Sequence, residues 1–135
     1  MVSKINSKYY TPEIEEFHVG FEYEITNGYE WVKKIFSKED LKSFLYEQLE
    51  NGINQQHIRV KYLDKEDIES LGWSDYIPPQ EYNHVWKKGN FWISVWFNNE
   101  IPKVRITFKN LFFLFDGNIK NKSELKKLMQ QLQIQ

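Results

Sequence analysis

The stretch that decides the fold reads NFWISVWF, residues 90–97. Side chains in a β-strand alternate between two faces, so this segment would place apolar bulk on both. The even positions carry Trp92, Ser94 and Trp96, and the odd positions carry Phe91, Ile93, Val95 and Phe97. One face must belong to the core, and the other needs a separate explanation.

The next segment, residues 103–108, decides which face is the core. A four-residue turn would place Val95 opposite Val104, with both in the core. A five-residue turn would instead place Arg105 among the core side chains, and burying that charge is costly. The two turns differ by one residue, and a one-residue slip moves every side chain to the other face. We expect the four-residue turn because it keeps Arg105 out of the core.

This register predicts a sheet face of indole rings and cations, with Trp86 contributing from the preceding strand. Its candidate partner-binding residues are Trp86, Trp92, Trp96, Lys103 and Arg105. Such a face could bind a protein, because Trp and Arg are enriched in hot spots. It could also stack the bases of single-stranded RNA or DNA. A third interpretation is that a terminal helix covers the face and the tryptophans form a second layer of core.

The rest of the chain alternates between strand and helix patterns. Residues 17–26 alternate at period two, and Asn27-Gly28 then indicates a hairpin to a strand over residues 29–36. Helical spacing follows Ser37 and ends at Asn51-Gly52, a short helix begins near Asp64, and residues 73–81 form an extended loop.

Together these patterns predict an α+β fold. We expect a mainly antiparallel sheet of six to seven short strands, with two longer helices and one short helix. The last helix would begin at Asn121, capped with Glu124. At 135 residues the chain has the length of a single domain, residues 1–135.

Charge is unevenly distributed although the net charge is only −1. Residues 101–135 carry seven bases and two acids, whereas residues 1–30 carry six acids and two lysines. Five of these acids form a second candidate partner-binding surface, an acidic one: Glu13, Glu15, Glu16, Glu22 and Glu24. Carboxylates of this kind could occupy a positively charged groove on a nucleic-acid-binding partner.

No motif indicates catalysis, a cofactor or a metal site. Cysteine is absent, the three histidines lack metal-binding spacing, and no phosphate loop or nucleophile elbow is present. Glu22 and Glu24 share a strand face at a spacing that a glycoside hydrolase could use, although any solvated strand shows the same spacing. We therefore expect a non-enzyme. Without a signal peptide or a membrane-length apolar run, we expect it in the cytoplasm.

Three segments resemble a group of small proteins from phages and prophages of Bacteroidota. They are YTPEIEEFHVGFE (10–22), the region from IRV (58–60) to IESLGW (68–73), and FDGNIKN (115–121). The resemblance implies an accessory protein of a mobile element that binds a host protein, and it supplies no catalytic residues. Anti-defence activity of the anti-CRISPR kind would fit that context, with a CRISPR effector or its guide RNA complex as the partner.

Our leading hypothesis from the sequence is a non-enzymatic, phage-type binding protein that inhibits a host defence protein by direct contact. The alternative is a single-stranded RNA- or DNA-binding module that uses the aromatic and basic sheet face. The partner's identity and the oligomeric state stay open.

Overall fold

A computed structural model describes residues 8–42, 45–77, 83–97 and 101–135. The chain divides into two compact units, of which the first ends at Lys61 and the second begins at Tyr62. Whether the two units unfold cooperatively is a separate property, so the single domain over residues 1–135 stays a prediction.

The fold is α+β, as the sequence predicts, but its strands form two antiparallel sheets. The described residues contain nine strands, more than the six to seven expected. The strands are β1 (Tyr9–Tyr10), β2 (Glu22–Thr26), β3 (Trp31–Ile35), β4 (Ile58–Lys61), β5 (Ser74–Ile77), β6 (Asn83–Lys88), β7 (Phe91–Trp96), β8 (Lys103–Phe108) and β9 (Phe112–Asn118). The helices are α1 (Lys38–Lys42), α2 (Leu45–Asn54), α3 (Lys65–Ser70) and α4 (Lys122–Gln131), with a 3-10 turn at Ile14–Glu16.

The first unit is a four-stranded sheet in the order β1-β4-β2-β3, with α2 beside β4. The predicted hairpin at Asn27-Gly28 is confirmed, because β2 and β3 pair from Thr26–Trp31 outwards. The buried side chains of this unit form one aromatic cluster: Phe17, Phe21, Tyr23, Phe36, Leu49, Ile58 and Val60.

Strand β2 is shorter than the alternating pattern predicts. Val19 is 46% exposed, and the strand begins only at Glu22. Gly20 has a φ of +96°, a left-handed conformation that breaks an extended strand before it. The period-two pattern of residues 17–26 would place Val19 on the buried face with Phe17 and Phe21, and that placement is wrong.

The second unit is a five-stranded meander in the order β5-β6-β7-β8-β9. The predicted register is confirmed, because Val95 pairs with Val104 and Ile93 pairs with Ile106. Residues 98–100 of the predicted turn lie outside the described residues. Helices α3 and α4 and the segments that flank them supply the rest of the core of this unit. Its buried side chains are Leu63, Ile68, Trp73, Trp86, Ile93, Val95, Val104, Ile106, Ile119, Leu125, Met129 and Ile134.

Two local predictions fail and one holds. The expected loop over residues 73–81 is wrong at Ser74–Ile77, which form β5 and pair with β6 through a register shift between Asp75 and Ile77. Residues 78–81 of that prediction lie outside the described residues. Helix α2 continues past Asn51-Gly52 to Asn54. The predicted start of α4 is confirmed, because the Asn121 side chain accepts from the Glu124 backbone N–H at 2.8 Å.

Candidate interaction surface

Helix α4 packs on the side of the five-stranded sheet that carries Ile93 and Val95. Its buried residues Leu125 and Met129 belong to that same core. Trp92 and Trp96 alternate with these strand residues and are partly exposed on the other face. The interpretation in which the terminal helix covers the tryptophans is therefore wrong.

Trp92 lies beside Tyr76 of β5, with ring centroids 4.2 Å apart. Lys87, directly opposite Trp92 on β6, holds its ammonium 5.5 Å from the Tyr76 ring and 5.8 Å from the Trp92 ring. Both distances are within the range of a cation–π contact. One cation and two aromatic rings thus form a single cluster at this end of the face.

At the other end of the face, Arg105 contacts two aromatic rings and a carboxylate. Its guanidinium lies 4.8 Å from the Phe113 ring and 5.6 Å from the Trp96 ring. It also donates to a carboxylate oxygen of Asp116 at 3.0 Å. The predicted grouping of Trp92, Trp96, Lys103 and Arg105 on one sheet face agrees with the register, in which Trp96 pairs with Lys103 and Ser94 with Arg105.

We call this surface the Trp92 face. It contains Tyr76, Lys87, Trp92, Trp96, Lys103, Arg105, Phe113 and Asp116. These residues include three cations and one carboxylate, a balance of 3 − 1 = +2. The surface therefore offers flat aromatic rings next to positive charge.

Trp86 does not belong to the Trp92 face. It pairs with Ile93 across β6 and β7, so it points into the core, where it is 0% exposed. Its indole N–H donates to a Glu69 carboxylate oxygen at 3.2 Å, which gives the buried nitrogen a partner. The expectation that Trp86 extends the partner-binding face was wrong because residue 86 stands on the opposite side of its strand.

His84 is 7% exposed and stacks on Trp86, with ring centroids 5.0 Å apart. Burial lowers the pKa of His84, and the positive charge of Lys65 lowers it further, while Asp75 and Glu69 oppose the shift. The neutral imidazole is therefore the form that this site favours.

An apolar hairpin tip adjoins the Trp92 face. Lys109 and Asn110 turn the chain with φ angles of +54° and +57°, and β9 follows. The four residues after the turn are exposed: Leu111 by 73%, Phe112 by 63%, Phe113 by 67% and Leu114 by 38%. Phe113 belongs to both the tip and the Trp92 face, whereas Phe112 pairs with Phe108 and so lies on the opposite face of the sheet. With Phe115 these four residues form the longest apolar run of the sequence, 111–115, a signal that predicts a strand but does not reveal its exposure.

The five predicted acidic residues do not share one surface. Glu24 lies opposite Arg59 and accepts two of its hydrogen bonds, at 2.8 and 3.1 Å. The guanidinium of Arg59 also lies against the rings of Tyr9 and Trp31, at 3.7 and 4.1 Å. Glu24 is thus neutralised by a neighbouring strand.

The other acids have separate settings. Glu13 and Glu16 cap the 3-10 turn that also contains Glu15. Glu16 accepts a hydrogen bond from the hydroxyl of Tyr10. Neighbouring side chains of a strand point to opposite faces, so Tyr10 points away from Tyr9, which lies against the partner of Glu24. Glu16 and Glu24 are therefore on different faces. Glu22 shares its strand face with Glu24, as predicted. Local sequence shows where acids cluster, but it does not show which strand supplies the balancing cation.

Within the described residues, no three His, Asp or Glu side chains converge where a metal ion could bind. Nor does any helix in that part of the chain have the length and apolar character to span a membrane. No protein-family model, curated protein or solved structure matches the chain.

Proposed function

We propose that this chain is a non-enzymatic protein-binding module whose partner docks on the Trp92 face and the adjoining hairpin tip. The observation that carries the proposal is the exposure of Phe113 beside a face of indole rings and cations, at a hairpin tip whose Leu111 and Phe112 are exposed as well. Large exposed apolar side chains grouped in this way often mark a site of protein interaction. Trp and Arg at its centre match the composition of interface hot spots.

The resemblance to phage proteins suggests the kind of partner. On this proposal the chain inhibits a host defence protein, such as a CRISPR effector nuclease, by direct binding in the host cytoplasm. The Trp92 face is the contact surface in this account. The acidic residues contribute less, since Glu24 is already paired with Arg59.

A single-stranded nucleic-acid ligand is the second candidate. It is favoured by the net charge of +2 on the Trp92 face and by cations that lie over aromatic rings. Against it, Asp116 is paired with Arg105, which reduces the charge available for phosphate. The exposed aliphatic side chains of Leu111 and Leu114 also have no role in base stacking.

The test is a pull-down of tagged protein from a host-like lysate, with and without nuclease, using wild type and a Trp92→Ala/Trp96→Ala variant. We expect a defined protein that survives nuclease treatment and is lost with the variant. A matched Tyr29→Ala variant should keep the partner, because Tyr29 is an aromatic residue 96% exposed in the other unit. Retention of the same partner by the double tryptophan variant would contradict the proposal.

The nucleic-acid alternative has its own measurement, the salt dependence of affinity for a labelled oligonucleotide. Each phosphate neutralised on a single strand contributes a slope of about −0.7 in log affinity against log salt. Removal of three cations by Lys87→Ala, Lys103→Ala and Arg105→Ala should then flatten the slope. An affinity that is independent of salt would exclude this mode of binding.

A further inference from the structure

Two buried polar atoms of the Trp92 face have no hydrogen-bond partner among the described residues. They are the hydroxyl oxygen of Thr107 and the Nε of Arg105. Thr107 is only 5% exposed, and it pairs with Trp92 on β7 and with Phe113 on β9, so it lies between two aromatic residues of this face. Buried polar groups of folded proteins almost always have a partner, so each exception requires an explanation.

The two atoms belong to neighbouring side chains on one face of β8, because Thr107 follows Arg105 by two residues. Residues with this spacing are about 6.7 Å apart along a strand. Asp116 accepts from Nη2 of Arg105, which leaves the Nε–H of the guanidinium as an unused donor. One carboxylate can span this separation if one of its oxygens accepts from Nε–H and the other from the Thr107 hydroxyl, since each such hydrogen bond measures about 2.8 Å.

We infer that Arg105 and Thr107 form a subsite for a carboxylate side chain of the partner protein, an Asp or Glu with apolar neighbours. The inference rests on the proposed function, because it identifies the group that the partner presents to the Trp92 face. A guanidinium N–H can only donate, so its missing partner must be an acceptor. The net charge of +2 on the face favours an anion, and the rings of Trp92 and Phe113 on either side of Thr107 favour apolar residues beside it.

Two features favour a carboxylate over a phosphate group at this subsite. The subsite has two hydrogen-bonding groups, and they match the two oxygens of a planar carboxylate. The carboxylate of Asp116 lies 3.0 Å from Arg105 Nη2, so an anion at Nε–H is close to a second negative charge. A phosphate monoester, with about −1.5 to −2 charges, would be repelled more strongly than a singly charged carboxylate. The phosphodiester of a nucleic acid also has a single charge, so it is compared directly in the test.

The partner reaches the two atoms by displacing the ring of Phe113. This side chain is 67% exposed, so little packing holds its ring in place, and exposed side chains change rotamer within nanoseconds. In the free protein the unpaired hydroxyl of Thr107 lowers the stability of the fold, and a bound carboxylate would give it a partner. The same hydroxyl should therefore weaken the fold and strengthen binding, a trade-off that is common at functional sites.

NMR titration with small probes tests the subsite. The probes are N-acetylglutamate α-amide, its neutral match N-acetylglutamine amide, and dimethyl phosphate in place of a nucleic-acid backbone. We expect the carboxylate probe to shift the Arg105 Nε–H and Trp92 indole N–H signals saturably, with a Kd of about 1 mM, and the neutral probe to shift neither. Thr107→Val should weaken binding of the carboxylate probe about tenfold while raising the melting temperature. Thr26→Val makes the same change in the other unit and should leave binding unchanged.

The inference would be overturned if the carboxylate probe caused no saturable shift, or if it bound Thr107→Val as tightly as the wild type. Tighter binding of dimethyl phosphate than of the carboxylate probe would also overturn it and would support the nucleic-acid candidate. If the double tryptophan variant loses the protein partner while Thr107→Val keeps its full affinity, the proposed function stands and the carboxylate subsite fails. If the subsite binds the probe but the double tryptophan variant keeps the partner, the proposed function is the one that fails.

Discussion

The guanidinium of Arg59 donates two hydrogen bonds to one carboxylate oxygen of Glu24, on the adjacent strand of the first unit. Both side chains are mostly shielded from solvent, with 26% of Arg59 and 14% of Glu24 exposed. Arg59 also contacts the rings of Tyr9 and Trp31. The Arg59–Glu24 pair therefore connects all four strands of this sheet, and Glu24 is not a free acidic contact for a partner.

Neutralising Glu24 should consequently destabilise the fold. Glu24→Gln removes a charge-assisted interaction and leaves Arg59 partly desolvated without its counter-ion. Such interactions contribute roughly 1–2 kcal/mol once partial exposure is taken into account. Urea unfolding measures the loss. Glu30→Gln removes the same charge from an exposed side chain and should change stability by less than about 0.5 kcal/mol. Equal effects of the two variants would show that the Arg59 pair contributes nothing.

The two sides of the five-stranded sheet should respond differently to truncation of tryptophan. Trp86 is fully buried, so Trp86→Ala should cost about 3–5 kcal/mol. Trp92 is partly exposed and rests mainly on Tyr76, so Trp92→Ala should cost roughly 1–2 kcal/mol. Thermal denaturation of both variants checks the order. A larger loss for Trp92→Ala would mean that Trp92 is a core residue.

The β-meander could be derived largely from residues 90–108, because one charged residue excluded the wrong register. Arg105 alternates with Val104 and Ile106, so only one loop length kept its charge out of the core. The sheet face on which Trp86 lies depends in the same way on the length of the turn before β7, and no charged residue in the sequence fixes that length. In the structure Trp86 faces Ile93, a core residue, and this pairing places it in the core.

The division into two sheets was not evident from the sequence, because strand pairing between distant segments is decided by packing that local patterns do not reveal. Strand β4 pairs with β2, which begins 36 residues earlier, and no turn links them directly. Arg59 and Glu24 meet only through that pairing. The acidic cluster therefore looked like a surface in sequence, although Glu24 is paired with Arg59 across strands.

Two threonines should respond in opposite ways to replacement by valine, a substitution that removes only the hydroxyl. The hydroxyl of Thr107 is buried and has no hydrogen-bond partner among the described residues, so Thr107→Val should stabilise the fold by about 1 kcal/mol. The hydroxyl of Thr26 accepts from the Gly28 backbone N–H at 3.0 Å in the β2–β3 turn. Thr26→Val should therefore destabilise by roughly 0.5–1 kcal/mol. Chemical denaturation of both variants checks the two signs, and a loss of stability in Thr107→Val would contradict the assignment.

Stability should fall as the solution becomes acidic, in a way that depends on His84. The folded state lowers the pKa of His84 through burial and the nearby Lys65, so the unfolded chain takes up the proton first. When the pH falls below about 6.5, the ordinary value for histidine, the unfolded state binds more protons and the free energy of unfolding decreases. The decrease levels off once the pH passes below the pKa of the folded state.

Urea unfolding between pH 5 and pH 8 measures this dependence. His84→Phe keeps a ring beside Trp86 but cannot take up a proton, so its stability should vary less with pH over that window. Asp75 and Glu69 oppose the shift, and Asp75→Asn should therefore steepen the dependence of the wild type. If His84→Phe reproduced the wild-type pH profile, the loss of stability would have to come from other titrating groups and His84 would not be its source.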